Sequence, residues 1–152
     1  MLGTEPRPTE LTDKWWITVE APDRAPRSDG NIGKWLVFVP VRYIDRYWEI
    51  IRQAVRDGTL GPAAKVATAR PNPRQTDPTR RVIAVYTVDW TDEDDVQRVL
   101  GALRSLGVTW RITYKTDADT TNSIYGRHAA TYISQSGSLQ FASRKQRPTR
   151  MG

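Results

Sequence analysis

Two segments of this chain are apolar at almost every position, and an amphipathic pattern follows each of them. Residues 33–39 read Gly-Lys-Trp-Leu-Val-Phe-Val, and residues 81–88 read Arg-Val-Ile-Ala-Val-Tyr-Thr-Val. Runs this apolar are typical of central strands that are covered on both faces. The pattern therefore predicts a sheet with buried middle strands, and the segments around it must supply the cover.

The cover is predicted to come from two helices, since apolar residues recur every three or four positions in residues 41–57 and again after Thr91. Gly58 and Gly107 are placed where helices end. The buried stripes are Ile44, Tyr47, Trp48, Ile51 and Val55 in the first helix, and Val96, Val99, Leu100, Leu103 and Leu106 in the second. We expect Thr91 to cap the second helix. We expect the carboxylates of residues 92–95 to be stabilised by the positive end of the helix dipole rather than to bind a metal ion.

Four further segments have the β-branched and aromatic content of strands: residues 14–20, 65–69, 110–115 and 130–134. The predicted order is β-β-α-β-β-α-β-β. This order favours an α+β fold, with a curved, mostly antiparallel sheet and two main helices packed on one face. We expect a single domain at 14–135, a disordered N-terminus at 1–13 and a basic flexible tail at 136–152.

Composition excludes several kinds of chemistry. The chain has no cysteine and one histidine, which excludes disulfides, thiolate nucleophiles, cysteine-bound zinc and multi-histidine metal sites. We therefore expect neither a metal nor a cofactor. The sequence also contains no apolar run typical of a signal peptide or a membrane span, so we expect a cytoplasmic protein without a membrane partner.

The net charge of +6 is concentrated near the C-terminus. After residue 119 no acidic residue occurs, and the basic ones are Arg127, Arg144, Lys145, Arg147 and Arg150. The rest of the chain is therefore almost neutral. A basic tail of this kind can bind RNA phosphates, and it can equally act as a solubilising terminus.

Two lysines stand at strand ends. Lys65 begins a strand after Gly61-Pro62-Ala63-Ala64, and Lys115 ends the strand 110–115. If both reach one pocket of the sheet, they form an anion site. The competing interpretation is that both are solvated residues that discourage pairing at sheet edges.

A series of short motifs, in this order and spacing, resembles the basophilic-leukaemia-expressed protein family. The motifs are Gly33-Lys34-Trp35, Asp45-x-x-Trp48, Gly58-Thr59-Leu60-Gly61, Lys65-Val66-Ala67, the strand ending at Tyr86, Asp95-Val96, Tyr114-Lys115-x-Asp117 and Ile124-Tyr125. The resemblance covers roughly residues 30–134. It implies the fold of the mRNA cap-binding initiation factors, with helices behind a concave ligand-binding sheet. Bacterial relatives are described as phosphothreonine-lyase-domain proteins, which implies a ligand that carries phosphate.

That resemblance implies a domain that recognises a phosphorylated ligand. The main hypothesis is that the domain is a phosphothreonine or phosphoserine lyase. Elimination of phosphate needs a neutral amine base, guanidinium groups on the phosphate and an acid at the leaving oxygen. Lys65 or Lys115 is the candidate base, and His128 is the candidate acid. The candidate phosphate ligands are Arg70, Arg111 and Arg127, and the further ligand contacts are Tyr125 and Asp117.

Two other classes remain open. A non-catalytic module for a nucleotide or capped RNA needs aromatic planes, a carboxylate at the edge of the base and cations. Trp90 with Asp89, or Trp35 and Trp110, can supply the planes, and Lys65, Lys115 and Arg127 can supply the charge. Tryptophan in an apolar strand is, however, more often part of the core. The third hypothesis is an adaptor that binds a protein partner through the sheet face or the tail. For the first two hypotheses the expected ligand is a phosphorylated peptide or a nucleotide, and RNA can bind through the basic tail.

Overall fold

The structure is a computed structural model and describes residues 5–22, 31–73, 77–117 and 131–143. Its elements follow one another along the chain with short connections. In order they are a 3-10 helix (Pro8–Glu10), β1 (Trp16–Glu20), β2 (Gly33–Pro40), α1 (Val41–Arg56), β3 (Ala63–Ala67), β4 (Arg80–Thr87), α2 (Glu93–Ser105), β5 (Ile112–Thr116), β6 (Tyr132–Ser134) and β7 (Ala142–Ser143).

The strands form one sheet in the order β1-β3-β4-β2-β5-β6-β7, and all neighbouring strands run antiparallel. Both helices contribute to the same apolar core as Trp35, Val37 and Val39 of β2, so both cover the same face of the sheet. The predicted α+β architecture, a curved antiparallel sheet with two helices on one face, is confirmed.

Trp35 lies at the centre of this core and is fully buried. Its indole Nε1 donates a hydrogen bond of 3.1 Å to the Val96 carbonyl of α2, and its ring meets that of Tyr114 edge to face at 5.2 Å. Gly33 makes room for Tyr114, because a methyl group on Gly33 would overlap the phenol ring. The Trp35 side chain thus contacts both α2 and β5, in addition to the backbone pairing of β2 with β5.

The prediction that the central strands are buried on both faces is wrong. Phe38 in β2 is 42% exposed, and Val82 and Tyr86 in β4 are partly exposed. Since both helices pack on one side, the alternate residues of β2 and β4 point to a face that no helix of the described residues covers. An apolar run can therefore belong to a strand with one open face.

Helix α2 begins one residue later than expected. Its N-cap is Asp92, whose carboxylate accepts a hydrogen bond of 3.2 Å from the Asp95 amide. Thr91 instead donates its own amide to the Asp89 carboxylate at 2.9 Å. The acidic first turn lies at the positive end of the helix dipole, as predicted. In the part of the chain that the structure describes, no cluster of acidic or histidine side chains could hold a metal ion.

The packed chain extends beyond the expected boundaries at both ends. Pro8 is buried, Glu5 pairs with Arg56 of α1 at 3.1 Å, and the Thr9 amide donates to the Asp45 carboxylate at 3.0 Å. At the other end, the Phe141 ring lies 5.9 Å from Trp35. These contacts join segments that lie far apart in the chain. The polar composition of residues 1–13 therefore does not predict them. Residues 1–4 and 144–152 lie outside the described residues.

None of the helices within the described ranges is long and apolar enough to span a membrane.

Candidate ligand-binding face

The face of the sheet opposite the helices is called the open face here. The strand register assigns residues to it, because directly paired residues share a face. Trp16 pairs with Ala67, and Val82 pairs with Phe38 on the neighbouring strands β4 and β2. These residues form one row across the open face, with an aromatic ring at each end and small side chains between.

This row is the floor of a cleft with a volume of about 350 Å³, called the aromatic cleft here. Its rings are Trp15, Trp16 and Phe38, and three arginines border it. The lining residues are Trp15, Trp16, Phe38, Ala67, Thr68, Arg70, Asn72, Asp77, Arg80, Arg81 and Val82. The two exposed rings, Trp15 at 50% and Phe38 at 42%, leave apolar surface available to a ligand.

Three hydrogen bonds to backbone carbonyls hold the segment that contains Trp15 at the edge of the cleft. The Thr68 amide donates to the Trp15 carbonyl at 3.0 Å, and Arg70 Nη1 donates to the Asp13 carbonyl at 3.1 Å. Arg81 Nε donates to the Thr68 carbonyl at 3.2 Å. The segment before β1 is therefore fixed against the chain that leaves β3.

A positively charged side chain lies over each aromatic ring of the cleft. Lys65 Nζ lies 4.1 Å from the centre of the Trp16 ring, the Arg70 guanidinium lies 4.6 Å from that of Trp15, and the Arg80 guanidinium lies 5.5 Å from that of Phe38. Such contacts are attractive because the ring face is electronegative. They orient three positive groups around the cleft.

Asp77 is the one carboxylate among the described residues that line the cleft. It accepts hydrogen bonds from the Thr79 amide at 2.9 Å, from the Thr79 hydroxyl at 2.5 Å and from Arg80 Nε at 3.1 Å. These hydrogen bonds, with that of the Thr79 hydroxyl first, lower the pKa of Asp77. The carboxylate is thus engaged by its own turn.

Lys34, Lys115, Tyr86 and Asp117 lie at the opposite end of the open face, called the lysine end here. Lys34 faces Lys115 on β5 and Tyr86 on β4. Its ammonium group donates to the Asp117 carboxylate at 2.8 Å, and the whole residue is 8% exposed. Burial, and then the charge of Asp117, raise the pKa of Tyr86 to about 12, so its hydroxyl keeps its proton at neutral pH.

Lys65 lies between the aromatic cleft and the lysine end. Burial, and then the positive charge of Lys34, lower its pKa. This is the direction that a lysine base or nucleophile requires. The second cation that lowers the pKa is Lys34, which the sequence analysis did not single out, and not Lys115.

The predicted site residues are only partly brought together. Lys65 and Lys115 share the open face, but β4 and β2 lie between their strands, which separates the two backbones by about 14 Å. Arg70 lines the aromatic cleft, and Asp117 pairs with Lys34. Arg111 is exposed just before β5 and does not line the cleft. Tyr125, Arg127 and His128 lie outside the described residues.

The stacking candidates from the sequence lie away from the open face. Trp35 is core, Trp90 packs against the core, and Trp110 packs edge to face on Tyr47 at 5.4 Å. The rings that do line the cleft are Trp15, Trp16 and Phe38. Alternation along β1 and β2 was the available signal, but the apolar run 33–39 concealed it, because Leu36 and Phe38 resemble core residues.

This architecture, two helices behind a curved antiparallel sheet with an open face, is that of the cap-binding initiation factors. The chain is similar to schistosome eIF4E, solved as a complex with m7GpppA and 4E-BP, with a TM-score of 0.64 and 16% identity. The match covers 86% of this chain and 75% of that one. At this identity the likeness establishes the fold alone.

The family follows from a second comparison. The model of the family described as basophilic leukemia-expressed protein Bles03 matches residues 20–121, about two thirds of the chain. The chain belongs to this family, and the predicted membership is confirmed.

Proposed function

We propose that this protein is a non-catalytic nucleotide- or RNA-binding module whose open face takes the ligand. One observation carries the proposal. The aromatic cleft has rings at both ends of an apolar floor and cations around it, which is the combination that stacks a base and neutralises its phosphates.

The lysine end extends this site along the strands. From Phe38 to Lys34, four residues of β2 span about 13 Å. Lys34, Lys115 and Tyr86 face the same side, and the Lys34 ammonium group is paired with Asp117. A ligand that occupies both regions has an aromatic base in the cleft and a chain of phosphates that runs past Lys65 towards the lysine end.

Elimination of phosphate from a phosphopeptide has less support. The lowered pKa of Lys65 is in the direction that a base requires. The proposed guanidinium clamp is not assembled by the described residues, because Arg70 follows β3 while Arg111 precedes β5, and two other strands lie between β3 and β5. We therefore treat elimination as the outcome that would contradict a pure binding role.

The first test is loss of stacking. We expect Trp16→Leu to weaken binding of the dinucleotide GpppA about tenfold, since one stacked base contributes about 1–3 kcal/mol. Titration calorimetry of the wild type and the variant at equal salt measures the change.

Tyr43→Leu is the matched control, because Tyr43 is 45% exposed under the Arg42 guanidinium but lies on α1. Equal affinity of wild type and Trp16→Leu would argue against the cleft as the base site. Release of phosphoric acid from a phosphothreonine peptide, detected by mass spectrometry, would argue against a binding-only protein.

The second test uses the lowered pKa of Lys65. An ammonium that binds phosphate loses that attraction as the pH rises through its pKa in the folded protein. We therefore expect GpppA affinity to decline at a pH below the ordinary lysine range of about 10.4. Dissociation constants measured between about pH 7 and about pH 10 give the profile.

Lys65→Arg is the control for this profile, because a guanidinium stays charged across the whole range. We expect the affinity of Lys65→Arg for GpppA to decline less with pH than that of the wild type. We expect Lys65→Gln to bind more weakly at every pH and to show no decline. A decline that is identical in wild type and both variants would assign the titration to another group.

A further inference from the structure

We infer that the aromatic cleft selects a neutral base and disfavours the positively charged 7-methylguanine of an mRNA cap. The inference rests on the proposed function and concerns the ligand class of the same site. It sets this chain apart from the protein with which it shares a fold, which was solved with m7GpppA.

The first argument is that protein cations already lie over the rings of the cleft. Lys65 lies over Trp16 at 4.1 Å, and Arg80 lies over Phe38 at 5.5 Å. A cationic base stacked on either ring would lie within a Debye length of about 10 Å from the resident charge, so salt would screen the repulsion only in part. A neutral base incurs no such repulsion.

The second argument concerns the carboxylate that a cationic base requires at its edge. Among the described lining residues that group is Asp77, and Thr79 and Arg80 already donate to its oxygens. A cationic base would compete with a guanidinium for this carboxylate. The net charge of the described lining residues is therefore positive, because Arg70, Arg80 and Arg81 surround one carboxylate that already accepts hydrogen bonds.

The third argument is that a neutral base has favourable partners in the cleft. Bases stack on guanidinium planes as well as on aromatic rings, and Arg70 presents such a plane over Trp15 at 4.6 Å. Guanidinium groups also bind phosphate through paired donors. The same cations that repel a methylated base thus attract the rest of a nucleotide.

The test compares GpppA with m7GpppA, which differ by one methyl group and one positive charge. We expect the wild type to bind GpppA at least about threefold more tightly, a ratio that corresponds to about half of the free energy of a tenfold step. Titration of both dinucleotides at one salt concentration measures the ratio. Equal or tighter binding of m7GpppA would overturn the inference while leaving the proposed function intact, whereas failure of both dinucleotides to bind would overturn the proposed function itself.

The second part of the test removes one positive charge of the cleft at a time and measures the ratio of the two affinities again. We expect Arg70→Gln and Arg80→Gln each to shift the ratio towards m7GpppA, and Arg46→Gln, the same change on the exposed surface of α1, to leave it unaltered. Circular dichroism melting of each variant shows whether it is folded. A ratio that moves equally in all three variants would attribute the preference to overall charge and overturn the assignment to the cleft.

Discussion

Replacement of Gly61 by alanine is expected to destabilise the fold by about 3 kcal/mol or more, because overpacking against rigid neighbours is among the largest effects of a single methyl group. A Cβ at this position would overlap the Tyr86 carbonyl oxygen and approach its carbon to 3.3 Å. The obstacle is backbone at the end of β4, so no side chain can move aside. Either β3 or β4 has to shift.

Denaturant unfolding of the purified variant measures this loss. Gly101→Ala is the matched control, because Gly101 lies within α2 and a Cβ there meets nothing within 4 Å. Alanine in a helix is favoured over glycine by about 1 kcal/mol, so this variant should be slightly more stable than the wild type. If Gly61→Ala unfolds at the wild-type denaturant concentration, the close approach of residue 61 to β4 is not present in solution.

Replacement of Arg104 by methionine is expected to destabilise the protein by about 2–4 kcal/mol, since hydrogen bonds to a charged donor contribute about 1.5–3 kcal/mol each and are not additive. The guanidinium at the end of α2 joins the segment before β5 and the turn after β6. It donates to the carbonyls of Ser138, Val108, Trp110 and Gln135 and to the Ser134 hydroxyl, at 2.6–3.0 Å.

Hydrogen exchange locates the effect. Residues 131–143 should exchange faster in Arg104→Met than in the wild type, while α1 should change less, because Arg104 ties that segment to α2. Arg56→Met is the control, since Arg56 is an exposed residue of α1 that pairs with Glu5, and an exposed pair contributes about 1 kcal/mol or less. Equal protection of residues 131–143 in both variants would contradict the role given to Arg104.

The helices and central strands could be predicted because their evidence is local. Ile44, Trp48 and Ile51 recur at helical spacing, and all are buried in α1. The contribution of residues 5–13 could not be predicted in this way. Its contacts, such as that of Glu5 with Arg56, join a polar segment to a helix far along the chain. Such contacts leave no periodic pattern in the sequence.

The candidate site was predicted less well, for a physical reason. Lys65 was singled out and does lie on the open face, but its partner ring Trp16 and neighbouring cation Lys34 come from β1 and β2. Which residues share a face across strands depends on the strand order, here β1-β3-β4-β2-β5. Chain order places β2 beside β1, and the two are in fact separated by two strands.

That strand order also governs how the chain can reach its native state. β2 ends at Pro40, yet its two neighbours begin at Arg80 and Ile112. During synthesis the apolar segment 33–40 therefore emerges long before either neighbour, and it stays without its native pairing until much of the chain has been made. Sheets closed by such distant segments form slowly. Phe38, which lines the aromatic cleft of the folded protein, thus belongs to the segment that leaves the nascent chain open to self-association.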